Sequence, residues 1–443
     1  MDPVFDAQYL PVKQKFAERG TEIEVAYAPD GTVDYIYVVD QLLARRDNVE
    51  LLQGMLPGLD DVERDELRGL GDRQLPDGLA VLSIKGLQDG RFTVPEALDR
   101  LERLDERRRR LGEDNAGPTP GEPLATPVHV MHTAKLCAAS EPGVPVGSPT
   151  QPSPPVQGNR GDQDRVRLVI SDTGLLENFL PEHLDVDRYP WLEGVDGDDQ
   201  RPDRLGRILP PDLPGIPQEG ELQSIPFEAG HGTFVAGVAR SMAPRASVYV
   251  GNHFTMAGAA LEYEVISGLD ELIPVQAPHV INLSAGTYTR KDLPLLSFSD
   301  FRQRYDIPLV AAAGNDSTCR PFWPAAFDWA IGVGAFGGDE QNLAYFSNYG
   351  DWVNVYSLGE GLINAYATGV YTYREPPKRP TQQVFRGMAR WDGTSFAAAV
   401  VSGNFAAEIA RGGGPAQQAW ARVFQSAREI RGVGRYVAPG NAE

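Results

Sequence analysis

The chain has 443 residues, 42% hydrophobic and 23% charged, the balance of a soluble globular protein of two or three domains. Its formal net charge of −20 excludes a general nucleic-acid binder, because neutralising phosphates requires a basic surface. No run of apolar residues is long enough to span a bilayer, so no membrane partner is expected. Two cysteines, Cys137 and Cys319, give no disulfide framework, and Met-Asp-Pro-Val-Phe-Asp-Ala-Gln at the start has neither the charge nor the apolar run of a signal peptide. Together these features predict a cytoplasmic protein.

Residues 1–112 read as a small α+β unit. Glu22 to Tyr27 alternates as a half-buried strand, Pro29-Asp30-Gly31 is a turn, and Tyr35 to Val39 is a second β-branched and aromatic run. Leu42 to Leu52 reads as helical and Leu79 to Ile84 as a strand. Thr93-Val94-Pro95-Glu96 is a capping box that opens a helix striped by Leu98, Leu101, Leu104 and Leu111. The Arg107 to Arg110 run on that helix is flanked by acids and reads as a solvated face.

Residues 113–162 are rich in proline, glycine and serine and read as an extended or disordered linker. One island in it, Val128 to His132, is able to add an edge strand to a neighbouring sheet. From residue 163 strands and helices alternate, the signature of a parallel sheet covered on both faces. Val166 to Ile170, Ala246 to Val250, Val280 to Leu283 and Pro308 to Ala313 are the strands; Thr233 to Met242 and Phe396 to Ala410 are helices. This unit is expected to run to residue 435, with 436–443 as a tail.

Four polar residues stand at the ends of these elements. Asp172 follows a buried strand in Val-Ile-Ser-Asp-Thr-Gly, His231 opens a helix in Gly-His-Gly-Thr-Phe-Val-Ala-Gly, and Ser395 opens the small-residue helix in Gly-Thr-Ser-Phe-Ala-Ala. A carboxylate can orient an imidazole and stabilise its cation, and the imidazole can take the proton of a hydroxyl. Asn315 ends the run Ala-Ala-Ala-Gly-Asn and offers a side-chain amide.

The order Asp, His, Ser and the wording of these motifs resemble the subtilisin-like serine proteases, the subtilase family. The resemblance covers roughly residues 163–435 and implies a subtilisin-like three-layer sandwich with a mostly parallel central sheet, preceded by the small α+β domain. It implies a serine endopeptidase acting on extended polypeptide, with Asp172, His231 and Ser395 as triad and Asn315 donating to the oxyanion beside the Ser395 amide. By the same resemblance Ile281-Asn282-Leu283-Ser284-Ala285-Gly286 takes the substrate by β-addition. Ser284, Ala285, Gly286, Ala312, Ala313 and Gly314 would then wall the pocket for the residue before the cleaved bond. Their small size predicts a roomy pocket. Two departures stand out: Ala399 replaces a common proline, and Phe234 a common histidine.

No cofactor is expected for catalysis. Structural calcium around Asp185, Asp187, Asp196, Asp198 and Asp199 is weighed against a solvated acidic loop, which the spacing favours. His129 and His132 read as strand or linker histidines rather than metal ligands. Cys319 reads as a buried free thiol, with a redox bond to Cys137 as the sharper reading. The 1–112 unit is open to two readings, a propeptide-like cover or a stably attached regulatory domain, so an intramolecular contact with the peptidase unit is expected. The alternative function is a catalytically silent binding protein on the same fold.

Overall fold

The computed structural model describes residues 3–440 except 64–65, 68–73, 88–91, 112–121, 134–140, 159–165, 200–223, 228, 376–380 and 413. Helix α1 (Pro3–Glu18) lays Tyr9, Val12 and Phe16 into an apolar cluster and leads to the hairpin β1 (Ile23–Tyr27) and β2 (Val33–Arg45). The turn between them closes with Gly31 at φ 85°, a left-handed value that suits glycine. The helix expected from Leu42 is corrected here. Leu42, Leu43 and Ala44 belong to β2 and are fully buried, and α2 (Val49–Met55) is shorter and begins later. A strand covered on both faces shows a continuous apolar run, and such a run does not separate strand from helix.

Strands β3 (Asp60–Asp61) and β4 (Leu79–Ser83) extend this sheet beyond β2. Helix α3 (Val94–Arg110) starts as expected. The Thr93 hydroxyl accepts from the Glu96 amide, and the Glu96 carboxylate accepts from the Thr93 amide at 2.9 Å. The island in the linker is larger than five residues. It is the nine-residue strand β5 (Ala125–Thr133), buried throughout and far from being an edge: β2 pairs on one side and elements of the second unit on the other.

The second unit begins with β6 (Arg167–Asp172) and β7 (Val195–Gly197), followed by β8 (Ser224–Ile225), α4 (His231–Met242), β9 (Ser247–Asn252), β10 (Ala259–Leu261) and α5 (Glu262–Gln276). Next come β11 (Val280–Leu283), β12 (Ala285–Gly286), α6 (Leu296–Arg304), β13 (Leu309–Ala312), β14 (Ile331–Phe336) and β15 (Val355–Leu358). A hairpin, β16 (Leu362–Thr372) and β17 (Gln382–Trp391), precedes α7 (Thr394–Gly412), α8 (Ala416–Ser426), β18 (Arg428–Ile430) and β19 (Gly434–Val437).

Among the described residues the central sheet has nine strands in the order β18-β19-β15-β14-β13-β11-β6-β9-β7, parallel except for the β18–β19 pair. Its two-residue period makes the three layers. Leu168 and Ile170 of β6 join the cluster holding α4 and α7, while Val169 between them joins the cluster holding α5 and α6. Helix α7 is buried on all sides by Ala397, Ala398, Ala399 and Val400, and a side chain at Gly403 would run into the Ala239 carbonyl of α4. That close crossing fixes the two helix starts beside each other.

The two units share a core. Tyr9, Val12, Phe16, Val38 and Val128 pack in one apolar cluster with Ala259, Leu261, Tyr263 and Leu296. Ion pairs rim the contact: Arg290 with Asp99 and Glu102, Lys291 with Glu102 at 2.5 Å, and Arg320 with Asp34 at 2.5 Å.

Candidate active site

Asp172 is the last residue of β6, fully buried, and its carboxylate meets one imidazole nitrogen. His231 Nδ1 lies 2.8 Å and 3.0 Å from the two carboxylate oxygens. A second bond from the Thr173 amide, 2.7 Å long, holds Asp172 Oδ1. His231 is the first residue of α4, entered through Gly230 at φ 80°, and the Gly232 amide is tied to the Thr173 hydroxyl at 3.1 Å. Trp391 stands edge-on and Phe396 tilted against the imidazole, each with its ring centroid 5.6 Å away. Trp391 went unremarked in the sequence. Its place four residues before Ser395, in Trp-Asp-Gly-Thr, is the signal that could have found it.

Ser395 lies in the first turn of α7 and is fully buried. Its hydroxyl donates to the Ser284 carbonyl at 3.3 Å, and the Ser284 hydroxyl donates back to the Ser395 carbonyl at 2.9 Å. Thr394 beside it sets Asn315. The Thr394 amide and hydroxyl both donate to Asn315 Oδ1, at 2.9 and 2.8 Å, so this end of the amide is the carbonyl and Nδ2 is the end turned away from Thr394. The Thr394 hydroxyl in turn accepts from the Gly314 amide at 3.1 Å. The structure therefore brings Asp172 to His231, and Ser395 to Ser284 and, through Thr394, to Asn315.

The strand expected to receive an extended chain already holds one. β5 runs antiparallel to β12 with Thr133 opposite Ala285 and His132 opposite Gly286. Its other register places His132 opposite Ala259 and Val130 opposite Leu261 of β10, and the Thr133 amide donates to the Gly258 carbonyl at 2.9 Å. His132 is buried, and loss of hydration pushes its pKa down to about 4. Its Nδ1 lies 3.2 Å from the Thr133 carbonyl. His129 on the same strand bonds Glu262 at 2.8 Å, a structural pairing.

Two expectations change. Where Ser284–Gly286 faces Ala312–Gly314, the Phe322 ring packs against both Gly286 and Gly314 and narrows the space between them. Cys319 is exposed rather than buried, and Cys137 lies outside the described residues. Of the acidic group, Asp198 is committed to Tyr249 and to the Asn252 amide at 2.7 and 2.9 Å, while much of the Asp185–Gly220 insertion lies outside the described residues.

A mostly parallel α/β sheet with a buried Asp–His pair and a serine at a helix start defines a protein of the subtilisin-like fold. The signature of Peptidase_S8, the subtilase family, matches residues 213–424 of this chain. It is 29% identical over 219 residues to the thermophilic serine proteinase of Bacillus sp. (strain AK1), covering 47% of this chain and 50% of that protein. It is 28% identical over 253 residues to thermitase of Thermoactinomyces vulgaris, covering 54% of this chain and 80% of thermitase. The crystal structure of fervidolysin from Fervidobacterium pennivorans, a keratinolytic enzyme related to subtilisin, aligns with a TM-score of 0.54 at 17% identity. That alignment covers 92% of this chain and 61% of fervidolysin, and it speaks to the fold.

Proposed function

We propose that the chain is a serine endopeptidase that hydrolyses peptide bonds in extended polypeptide. The observation that carries this is the buried Asp172 carboxylate on His231 Nδ1, next to the Ser395 helix start. With Nδ1–H bonded to the carboxylate, the second ring nitrogen is left as the basic one. Turning about χ1 moves the Ser395 hydroxyl from the Ser284 carbonyl toward that nitrogen; such bonds tighten when substrate binds. The Ser395 Oγ–carbon bond then forms as its proton passes to His231, and the carbonyl oxygen becomes an oxyanion facing Asn315 Nδ2 and the Ser395 amide. The C–N bond breaks as His231 returns the proton to the leaving amine. Water, deprotonated by the same imidazole, releases the acid and restores the hydroxyl.

The polypeptide class rests on β5, whose backbone pairing with β10 and β12 is the mode by which an extended chain would bind. The same pairing supports an inhibitory role for residues 1–133, whether they are later removed or stay attached. The scarcity of cysteine favours a reducing compartment. A fluorophosphonate probe is expected to label the wild type and not Ser395→Ala; equal labelling of both refutes the reading.

A further inference from the structure

We infer that Phe322 restricts the residue just before the cleaved bond to a small side chain, glycine, alanine or serine. The inference rests on the proposed peptidase reading and names its substrate class. β5 shows how an extended chain lies here: residue 132 opposite 286, and residue 133 opposite 285. The next position of any chain in this register lies opposite Ser284, whose carbonyl accepts from the Ser395 hydroxyl. That position therefore presents its carbonyl to the nucleophile.

Side chains alternate along a strand, so the position opposite Ser284 shares its face with the position opposite Gly286. His132 occupies the latter, and its ring meets Phe322 edge-on with centroids 6.0 Å apart. The side chain of the reacting residue thus points to the same ring. The room between Gly286 and Gly314 is already taken. A methyl on Gly286 would lie 2.7 Å from Phe322 Cδ1, and one on Gly314 would lie 3.1 Å from Phe322 Cγ.

Phe322 is not free to withdraw. It is buried, and the next residue, Trp323, exchanges two backbone bonds with Thr287, at 2.8 and 2.9 Å. Tyr288 packs on the ring at 5.1 Å and closes the rim, its hydroxyl donating to Asp316 at 2.6 Å. A cavity of about 790 Å³, lined by His132, Thr287, Tyr288 and Asn315 among others, borders the site, while Phe322, Gly286 and Gly314 do not line it.

The test uses the full chain and two hexapeptides that differ only in carrying alanine or phenylalanine before the scissile bond. β5 competes equally with both, so ratios are unaffected. The wild type is expected to cleave the alanine peptide with a kcat/KM about 100-fold higher, the scale at which a pocket rejects excess side chain. Phe322→Ala should shrink that ratio at least tenfold, and Phe322→Leu should fall between; each ratio is internal to one protein and independent of how much of it folds. Binding of the same peptides to Ser395→Ala supplies a readout that needs no chemistry. Equal use of both peptides by the wild type, an unchanged ratio in Phe322→Ala, or equal binding of both peptides by Ser395→Ala overturns the inference. Preferential binding of the alanine peptide without cleavage by any variant would sink the peptidase reading and leave Phe322's role standing.

Discussion

Acidification should loosen β5 through His132. This imidazole has a folded pKa of about 4 against about 6.5 in the open chain, so the folded state binds it neutral. The stability it allows is full above pH 6.5, is lost as pH falls toward 4, and changes no further below that. At about pH 5 the loss is 1.5 of the 2.5 pH units, about 2 kcal/mol or about 30-fold in the opening equilibrium. The groups around it are the Phe322 ring and the Thr133 carbonyl, with Asp34, Asp316 and Arg320 across the cavity and the His129–Glu262 pair two residues back. Hydrogen exchange of β5, read by mass in Ser395→Ala and corrected for intrinsic rate, should show protection falling by that factor from pH 7 to pH 5. Ser395→Ala with His132→Gln retains every other titrating group and should lose the pH dependence. The same fall in both proteins would refute the reasoning.

Thr133→Pro removes the amide that donates to Gly258; losing about 1 kcal/mol of pairing should raise the fluorophosphonate labelling rate of Ser395 roughly fivefold. No gain in rate would separate β5 from control of the site. Asn315→Ala should lower kcat about 10²–10³-fold with KM little changed, the signature of a donor used in the transition state. Asp172→Asn should lower kcat about 10⁴-fold, since an amide on His231 Nδ1 favours the wrong tautomer. Gly286→Ala should cost about 1–3 kcal/mol in denaturant unfolding because its methyl meets the Phe322 ring, and adding Phe322→Ala should return part of that loss.

The catalytic candidates were legible because their positions are local. A strand ending in Asp172, a glycine-flanked helix start at His231 and a small-residue helix at Ser395 each occupy fewer than ten residues of sequence, and the structure places each where its motif indicates. The α3 capping box was equally local. What stayed hidden depends on distant partners. β5 has a strand-like pattern, yet nothing in it says that one edge meets Leu42–Ala44 and the other Ala259–Leu261 and Ala285–Gly286. Phe322 sits in a run resembling the family, but whether an aromatic ring fills or merely borders a slot is decided by where Gly286 and Gly314 come to lie. Leu42–Ala44 reads as helix in the sequence because a doubly covered strand loses its alternation.

A strand that is part of the chain competes for its own groove at an effective concentration of about millimolar or more. Micromolar peptides therefore reach Ser395 in the intact chain only through the small fraction of molecules whose β5 is open, and faster once the hold on β5 is weakened or severed. The small-side-chain rule says where severing can occur. Residues 134–140, Ala-Lys-Leu-Cys-Ala-Ala-Ser, follow β5 directly and supply Ala134, Ala138, Ala139 and Ser140 as residues that Phe322 would admit, but not Lys135 or Leu136. Self-cleavage, read by intact mass of the wild type beside Ser395→Ala, should accordingly yield an amino-terminal fragment ending at one of those four residues. A fragment ending at Lys135 or Leu136 would contradict the role of Phe322. A cut would not by itself expose the site, because Tyr9, Val12, Phe16 and Val128 remain packed against Leu261, Tyr263 and Leu296. It would instead turn an intramolecular occupant into a dissociable one, so labelling of Ser395 should then rise on dilution, whereas labelling of the uncut chain should not depend on concentration.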